Sequence, residues 1–403
     1  MIELALRNVL RHRFRTAMTL AAVSIGVAAL ILAGGFVRDI FIQLGEAIIH
    51  SQTGHLQIVR PGFLGSGSRS AEKYLLDNID QLRATAAEMP ETSDVLARLT
   101  FTGLLNNGRT DLSIVGQGIE PDRERRMGTR ATIVRGRPLA DADRYAALIG
   151  EGVAQALKLA PGDRIVLLAN TPEGALNTLD LDVAGVFRSF SREFDARAIR
   201  VPLTTAQELL ATPGANTLVV ALHQTRDTDV AAATLKQKLA GRDVAVKTWQ
   251  ELDDFYAKTV ELYQRQFGVL QLVVLVMVLL SVANTVNMSV FERMPEFGTM
   301  RALGNTGRQL FLRVVLENTL IGLAGAALGA LLAVGLATAL SIIGIPMPPP
   351  PNSNMGYTAQ IRLVPSVIAG AMAVGVMATL LASLFPALRA ARIPIADALR
   401  QAT

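Results

Sequence analysis

Few residues in this chain are placed to make or break bonds. It has four histidines and no cysteine, so there is no disulfide framework and no thiolate metal site. His50 and His55 stand five positions apart, a spacing that does not align two side chains on a helix face, and no HExxH occurs. No metal site is therefore expected. No glycine-rich loop ending in Gly-Lys-Ser or Gly-Lys-Thr is present to cradle phosphates, and no nucleophile–base pairing stands out. The chain is expected to be non-catalytic, with no cofactor of its own; energy for active work would come from another chain. The chemistry on offer is recognition. Glu292, Arg293, Glu296 and Arg301 crowd into one short segment with helix-breaking Pro295 and Gly298, which suits a docking turn. Asn284, Asn287, Glu317 and Asn318 are polar groups inside apolar runs. Such groups are functional, pack helices, or are solvated at an interface, and all three readings stay open. An otherwise uncharged interior argues against an ion or proton pathway.

These residues must be held by long apolar elements. From Leu252 to Arg293 there is no proline, and the only interior glycine is Gly268. One helix is predicted over this stretch, roughly 60 Å long at 1.5 Å per residue, about twice the hydrocarbon thickness of a bilayer. Its first part is polar and amphipathic, and Phe267 to Ala283 carries no charge. The sequence thus predicts a rod that begins outside a membrane, crosses it and ends in the charged turn. Two helices hinged at Gly268 are the alternative.

Half of the 403 residues are hydrophobic, too many for an ordinary soluble protein, while 18% charged is too many for a fully embedded one. A membrane protein with one large aqueous domain satisfies both. The net charge of +5 comes mostly from arginines beside the apolar runs, which points to membrane topology rather than nucleic-acid binding. No small-residue cleavage site follows the first apolar run, which is expected to be retained.

In chain order, 1–15 is expected to be a cytoplasmic interfacial helix or a plain basic cluster. The first span is placed at 16–37. An extracytoplasmic α/β domain fills 38–265, with a stalk helix at 251–266. Its outer pieces, 38–146 and 204–250, read as a split, ferredoxin-like subdomain around a β-rich insertion at 147–203. A hairpin is predicted through Asn107-Gly108. The second span is placed at 267–290, a cytoplasmic turn at 291–315, the third span at 316–343, an external loop at 344–363, the fourth span at 364–387 and a cytoplasmic tail at 388–403. Gly322, Gly325 and Gly329 form a small-residue stripe for close helix packing. Arginines lie before span one, between spans two and three (Arg293, Arg301, Arg308, Arg313) and after span four, and only Arg362 lies between spans three and four. Both termini and the charged turn are therefore expected on the cytoplasmic side of a bacterial inner membrane.

The segment Phe291 to Gly329 resembles the signature region of the FtsX-like permease superfamily, which includes membrane subunits of macrolide-efflux and lipoprotein-release ABC systems. The pattern is a turn, ER-x-x-E-x-G-x-x-R-A-x-G, then a glycine-rich span opening with Glu. Glu292, Arg293, Glu296, Gly298, Arg301, Ala302, Gly304, Glu317, Gly322, Gly325 and Gly329 fit it. The opening LALRNVLRHRFR and the ending FPALRAARIPIADALR are similar to the family's two ends. The resemblance implies a homo- or heterodimeric permease core on two ATPase subunits, which hold the ATP and magnesium. In it Glu292, Arg293, Glu296, Gly298, Arg301 and Gly304 form the ATPase-coupling element. It also implies mechanical transmission to the external domain, contact with membrane lipids, a periplasmic adaptor or carrier as a further partner, and no nucleic acid. The hairpin Ala169 to Thr178 is short and has no large aromatic, which speaks against direct chaperone capture by this chain. The expected function is extraction or export of a hydrophobic or amphiphilic cargo: a lipoprotein, a lipid or a macrolide-like compound. The alternative is a signal transmitter that regulates a periplasmic partner, such as a cell-wall hydrolase, without transport.

Overall fold

A computed structural model describes residues 13–64, 74–127, 131–349, 354 and 356–392. The expected interfacial helix before residue 13, most of the stretch PGFLGSGSRS and the tail beyond 392 lie outside the described residues. The chain divides into two compact units, with boundaries at Phe41/Ile42, Lys258/Thr259, Pro346/Met347 and Tyr357/Thr358.

The first unit is helical. Its elements are α1 (Arg13–Ile48), α2 (Asp254–Glu292), α3 (Met294–Ala302), α4 (Gly307–Ile343) and α5 (Pro365–Arg392). All but α3 are long and apolar enough to cross a membrane. α1 runs well past Val37, where the sequence reading ended the first span, and passes from one unit into the other without a break. α2 does the same at Lys258. It is also unbroken at Gly268, so the hinged alternative is not what forms; a Cβ there would meet nothing within 4 Å. The helix-favouring residues around it, Gln264, Arg265 and Gln266 before and Leu270, Gln271 and Leu272 after, carry the hydrogen-bond ladder through one glycine at a cost of only about 1 kcal/mol. Val278, Val282, Val286 and Val290 repeat every fourth position and are buried, whereas Leu272, Met277, Leu280 and Met288 on other faces are exposed. An apolar helix with one packed face is what a lipid-facing bundle requires.

The second unit is a mixed α/β domain. Strands β1 (Leu56–Val59), β2 (Thr92–Asn106), β9 (Thr217–Leu222) and β10 (Ala245–Thr248) line up in the order β10-β1-β9-β2, every neighbour antiparallel. The helices Ile79–Ala87 and Thr228–Lys238 cover this sheet, closing a core around Ile58, Leu82, Val95, Leu218 and Leu235. Two β-α-β halves in this order make a split, ferredoxin-like arrangement.

The β-rich part is larger than its expected span of 147–203. β3 (Asp111–Ile119), β4 (Thr132–Gly136), β5 (Ala146–Gly150), β6 (Arg164–Asn170), β7 (Leu176–Arg188) and β8 (Ala198–Pro202) form one sheet system, and the second half of β2 joins it. β2 is the reason. Thr92–Arg98 pairs with β9, and from Leu99 onward the same strand pairs with β3. A fifteen-residue strand is long enough to twist out of one sheet into another. The β2–β3 connection is a four-residue loop in which Asn107 Oδ1 accepts from the backbone N–H groups of Arg109 and Thr110.

Candidate functional site

The charged turn is built by three helix ends. α2 stops at Glu292, and Arg293 leaves helical geometry before α3 starts with Pro295 in its first turn. Proline suits that place because its missing N–H is one the helix would leave unpaired. α3 ends at Ala302 with Leu303 as its C-cap, and Gly304 follows with φ +96°, a conformation glycine adopts without a Cβ clash. Thr306 and Gln309 then form a reciprocal capping box that starts α4.

Arg293 does not present its charge outward. It is 5% exposed, and Nη1 donates to both Glu317 oxygens at 3.0 Å. Nε donates to Glu296 at 3.3 Å, and the guanidinium lies 5.2 Å from the Phe297 ring centroid. Arg293 and Glu317 border a small polar cavity with Thr16, Thr19, Ser289 and Asn318, and Arg293 Nη2 has no partner there. Arg293 thus turns its charge inward, onto Glu317 and Glu296. Gly298 is also buried. Arg301 Nη1 donates to the Ala391 carbonyl at 3.2 Å, tying the turn to the end of α5. A Cβ on Gly307 would meet the same carbonyl at 2.7 Å. Of the six residues assigned to coupling, Glu292 and Gly304 are exposed, and Glu296 and Arg301 are half-buried.

One residue of the turn that the sequence reading did not single out is Leu303. It is 85% exposed, a large apolar side chain at the tip of a charged turn. Its signal was present but weak: a leucine at an unspecified position of the motif, directly before Gly304.

The glycine stripe packs as small residues do in membranes. A Cβ on Gly325 would meet Val23 at 2.9 Å, one on Gly329 would meet the Ser24 carbonyl at 2.6 Å, and one on Gly322 would meet Thr379 at 2.9 Å. Ser24 Oγ donates to the Gly325 carbonyl at 2.9 Å. The stripe therefore faces α1 on one side and α5 on the other.

A second constellation lies in the α/β unit, at the end of α1. A π-helical turn, Ile49–Thr53, continues that helix. The Ile49 carbonyl accepts the Gly54 N–H, and the carbonyls of Ser51 and Gln52 nearer its end are taken by two buried arginines. Arg98 of β2 donates to the Gln52 carbonyl, and Arg200 of β8 donates to that of Ser51 at 2.9 Å. Arg98 also grips Glu124 through two bonds, at 2.5 and 2.9 Å. Burial alone would raise the Glu124 pKa, but Arg98 outweighs it and holds the carboxyl below its usual range. Burial pushes Arg200 down to about 10, which leaves it ionised at neutral pH. Burial also raises Asp195, against hydrogen bonds from Ser189 and Asn354.

The same turn brings His50 and His55 together, ring centroids 5.9 Å apart, although their spacing offers no reason to pair them. All four ring nitrogens have protein partners. His50 faces the Met127 carbonyl and Glu46, and His55 faces Thr225 and the Leu222 N–H. Among the described residues no three metal-binding side chains are gathered.

Comparison with known proteins bears on these units. Residues 16–238 match the MacB-like periplasmic core domain, and 268–395 match the FtsX-like permease C-terminal domain. An uncharacterised ABC transporter permease protein of Mycobacterium tuberculosis is 28% identical over 263 residues, 64% of this chain and 29% of that protein. An uncharacterised ABC transporter permease of Methanocaldococcus jannaschii is 24% identical over 281 residues, 66% of this chain and 65% of that protein. The macrolide export ATP-binding/permease protein MacB of Brucella abortus is 24% identical over 370 residues, 85% of this chain and 53% of that one. The chain thus spans less than two thirds of each of these relatives. The solved periplasmic region of MacB from Actinobacillus actinomycetemcomitans aligns with 54% of this chain and 96% of its own, at 16% identity and a TM-score of 0.38.

Proposed function

We propose, from the premise that this chain belongs to the FtsX-like family of ABC permeases with a MacB-like periplasmic core domain, that it carries force from an ATPase to an extracytoplasmic head. The single observation that carries this is the continuity of α1 and α2, each one unbroken helix from the membrane unit into the α/β unit. A helix transmits displacement along its axis because its hydrogen bonds run parallel to it. The charged turn supplies the other end. Glu292, Glu296 and the bare Leu303 suit docking on a partner, while Arg293, Glu317 and Arg301 hold the turn's shape. In this reading ATP and magnesium sit on two ATPase subunits, and a second permease chain completes the core. The exposed apolar faces of α2 meet that chain or lipid. Both termini and the turn face the cytoplasm, following the arginine bias. The cargo is a hydrophobic or amphiphilic molecule handled at the outer face; the macrolide exporters among the relatives favour a compound of that character.

The chain's lack of cysteine gives a direct test. Single-cysteine variants at Leu303 and at Leu176, an exposed apolar residue of the α/β unit, are labelled in sealed cells with an impermeant thiol reagent. Leu176→Cys should react from outside, and Leu303→Cys only after the membrane is opened. Labelling of both from one side would remove the mechanism.

A further inference from the structure

We propose that the β-rich part of the α/β unit holds a binding site for a small apolar carboxylate, its acid group on Arg200 and its body in the cavity beside it. The cavity has a volume of about 230 Å³ and is walled by Ile133, Leu139, Leu148 and Phe187, with Arg200 and Glu124 in the same lining. An apolar cavity of roughly 150 Å³ is large enough to take benzene.

Arg200 makes this more than a packing defect. It is 4% exposed. Its hydrogen bonds go to neutral acceptors, the Ser51 carbonyl at 2.9 Å and Gln117 Oε1 at 3.3 Å. The rings of Phe187 and Phe194 lie 5.1 and 5.8 Å from its guanidinium carbon. None of these carries a negative charge, and Arg200 makes no ion pair among the described residues. Cation–π contacts compensate a buried guanidinium only in part. Buried charges are ordinarily matched by an opposite one, because stripping water from an ion costs several kcal/mol.

Two carboxylates, Glu124 and Asp195, attract Arg200 from beyond contact distance, and each is held by other groups. Glu124 is engaged by Arg98 through both oxygens. Asp195 accepts from Ser189 and Asn354 and makes no ion pair with Arg200. Arg125, also in the lining, pairs with Asp122. The chamber is therefore largely apolar, with a buried cation that Glu124 and Asp195 attract through space but that no carboxylate contacts directly. A ligand with an apolar body and one carboxylate satisfies both features. A neutral ligand would leave the guanidinium without a carboxylate in contact, and a cationic one would be repelled. Because Arg200 also holds the Ser51 carbonyl, an occupant would touch a residue that fastens the end of α1.

This site is a property of the α/β unit and does not rest on the force-transmission reading. Its failure would leave the labelling result unchanged, and the reverse also holds. The test uses the full chain in lipid nanodiscs, with empty nanodiscs as reference. Binding of octanoate, 4-ethylbenzoate and their neutral alcohols, 1-octanol and 4-ethylbenzyl alcohol, is measured by calorimetry and ligand-detected NMR. Each acid should bind about tenfold or more tighter than its alcohol, the gain expected of a charged hydrogen-bond partner. A preference for octanoate would identify an acyl chain as the natural body, and a preference for 4-ethylbenzoate an aromatic one. Ile133→Trp, which fills the half-buried wall, should abolish binding with the thermal unfolding temperature little changed. Arg200→Gln should bring acid and alcohol affinities together. Equal binding of acids and alcohols by the native chain, binding retained in folded Ile133→Trp, or no binding of either acid would overturn the proposal.

Discussion

Arg293 and Glu317 stand 24 positions apart in the chain and 3.0 Å apart in the fold, the guanidinium reaching both carboxylate oxygens from the head of α3 to the first third of α4. Removing one member of such a buried pair strands the other. Glu317→Ala should therefore destabilise the helical unit by about 3–5 kcal/mol. The double change Arg293→Met with Glu317→Leu should recover most of that loss, because it removes both desolvation penalties. Thermal unfolding of the three variants in one detergent checks it. A double variant no better than either single would show that the pair itself is not the source of the stability.

The glycines divide into two groups that should respond oppositely. Gly329→Val places a side chain 2.6 Å from the Ser24 carbonyl and cannot be accommodated without moving α1 from α4. A loss of about 1–3 kcal/mol is expected, as for other overpacked contacts. Gly335 and Gly370 have nothing within 4 Å. Their alanine variants should be neutral or gain about 0.5–1 kcal/mol from reduced backbone freedom in the unfolded chain. Melting temperatures of all three, measured side by side, separate the groups.

Leu303 should separate stability from docking. At 85% exposed it contributes little to the fold, so Leu303→Asp should shift stability by no more than about 0.5 kcal/mol. If Leu303 is buried on an ATPase, the same change should weaken that complex by about 1.5–3 kcal/mol, roughly ten- to a hundredfold in Kd. Co-purification and calorimetry with the ATPase measure the second quantity. An unaltered Kd would take Leu303 out of the interface.

The α/β unit should be acid-sensitive at His55. Burial, helped by the neighbouring His50 and opposed by Glu46, lowers its pKa from 6.5 to about 4. The neutral ring accepts the Leu222 N–H at Nδ1 and faces Thr225 through Nε2. A base with a depressed folded-state pKa favours folding fully above the unfolded value. That contribution is lost as pH falls from about 6.5 towards about 4. His55→Gln should flatten the pH dependence of unfolding across this window. An unchanged profile would assign the acid sensitivity to other groups.

What the sequence disclosed and what it withheld follow from the range of the interactions involved. The span of α2 was legible because an apolar run without proline constrains its own backbone. Strands such as Ala198–Pro202 and Thr217–Leu222 were legible from dense apolar composition bounded by turn residues. The extent of the β-rich part was not, because nothing local marks the point inside β2 where its partner changes from β9 to β3. The helix Pro121–Arg126 was not legible, since PDRERR offers almost no apolar face. At the turn, Arg293 and Glu317 each look solvated alone. The clue was joint: a carboxylate inside one apolar helix and an arginine at the end of another are costly unless they meet. His50 and His55 meet only through the π turn, which no spacing rule anticipates.

One feature of the α/β unit governs how it can yield. Its two cores share the interior of β2, with no loop between the half that serves one and the half that serves the other. A swivel there would have to break strand pairing rather than bend a linker. The unit should melt in one calorimetric step, and a twist imposed on the ferredoxin-like end should arrive undiminished at the far rim of the other sheet.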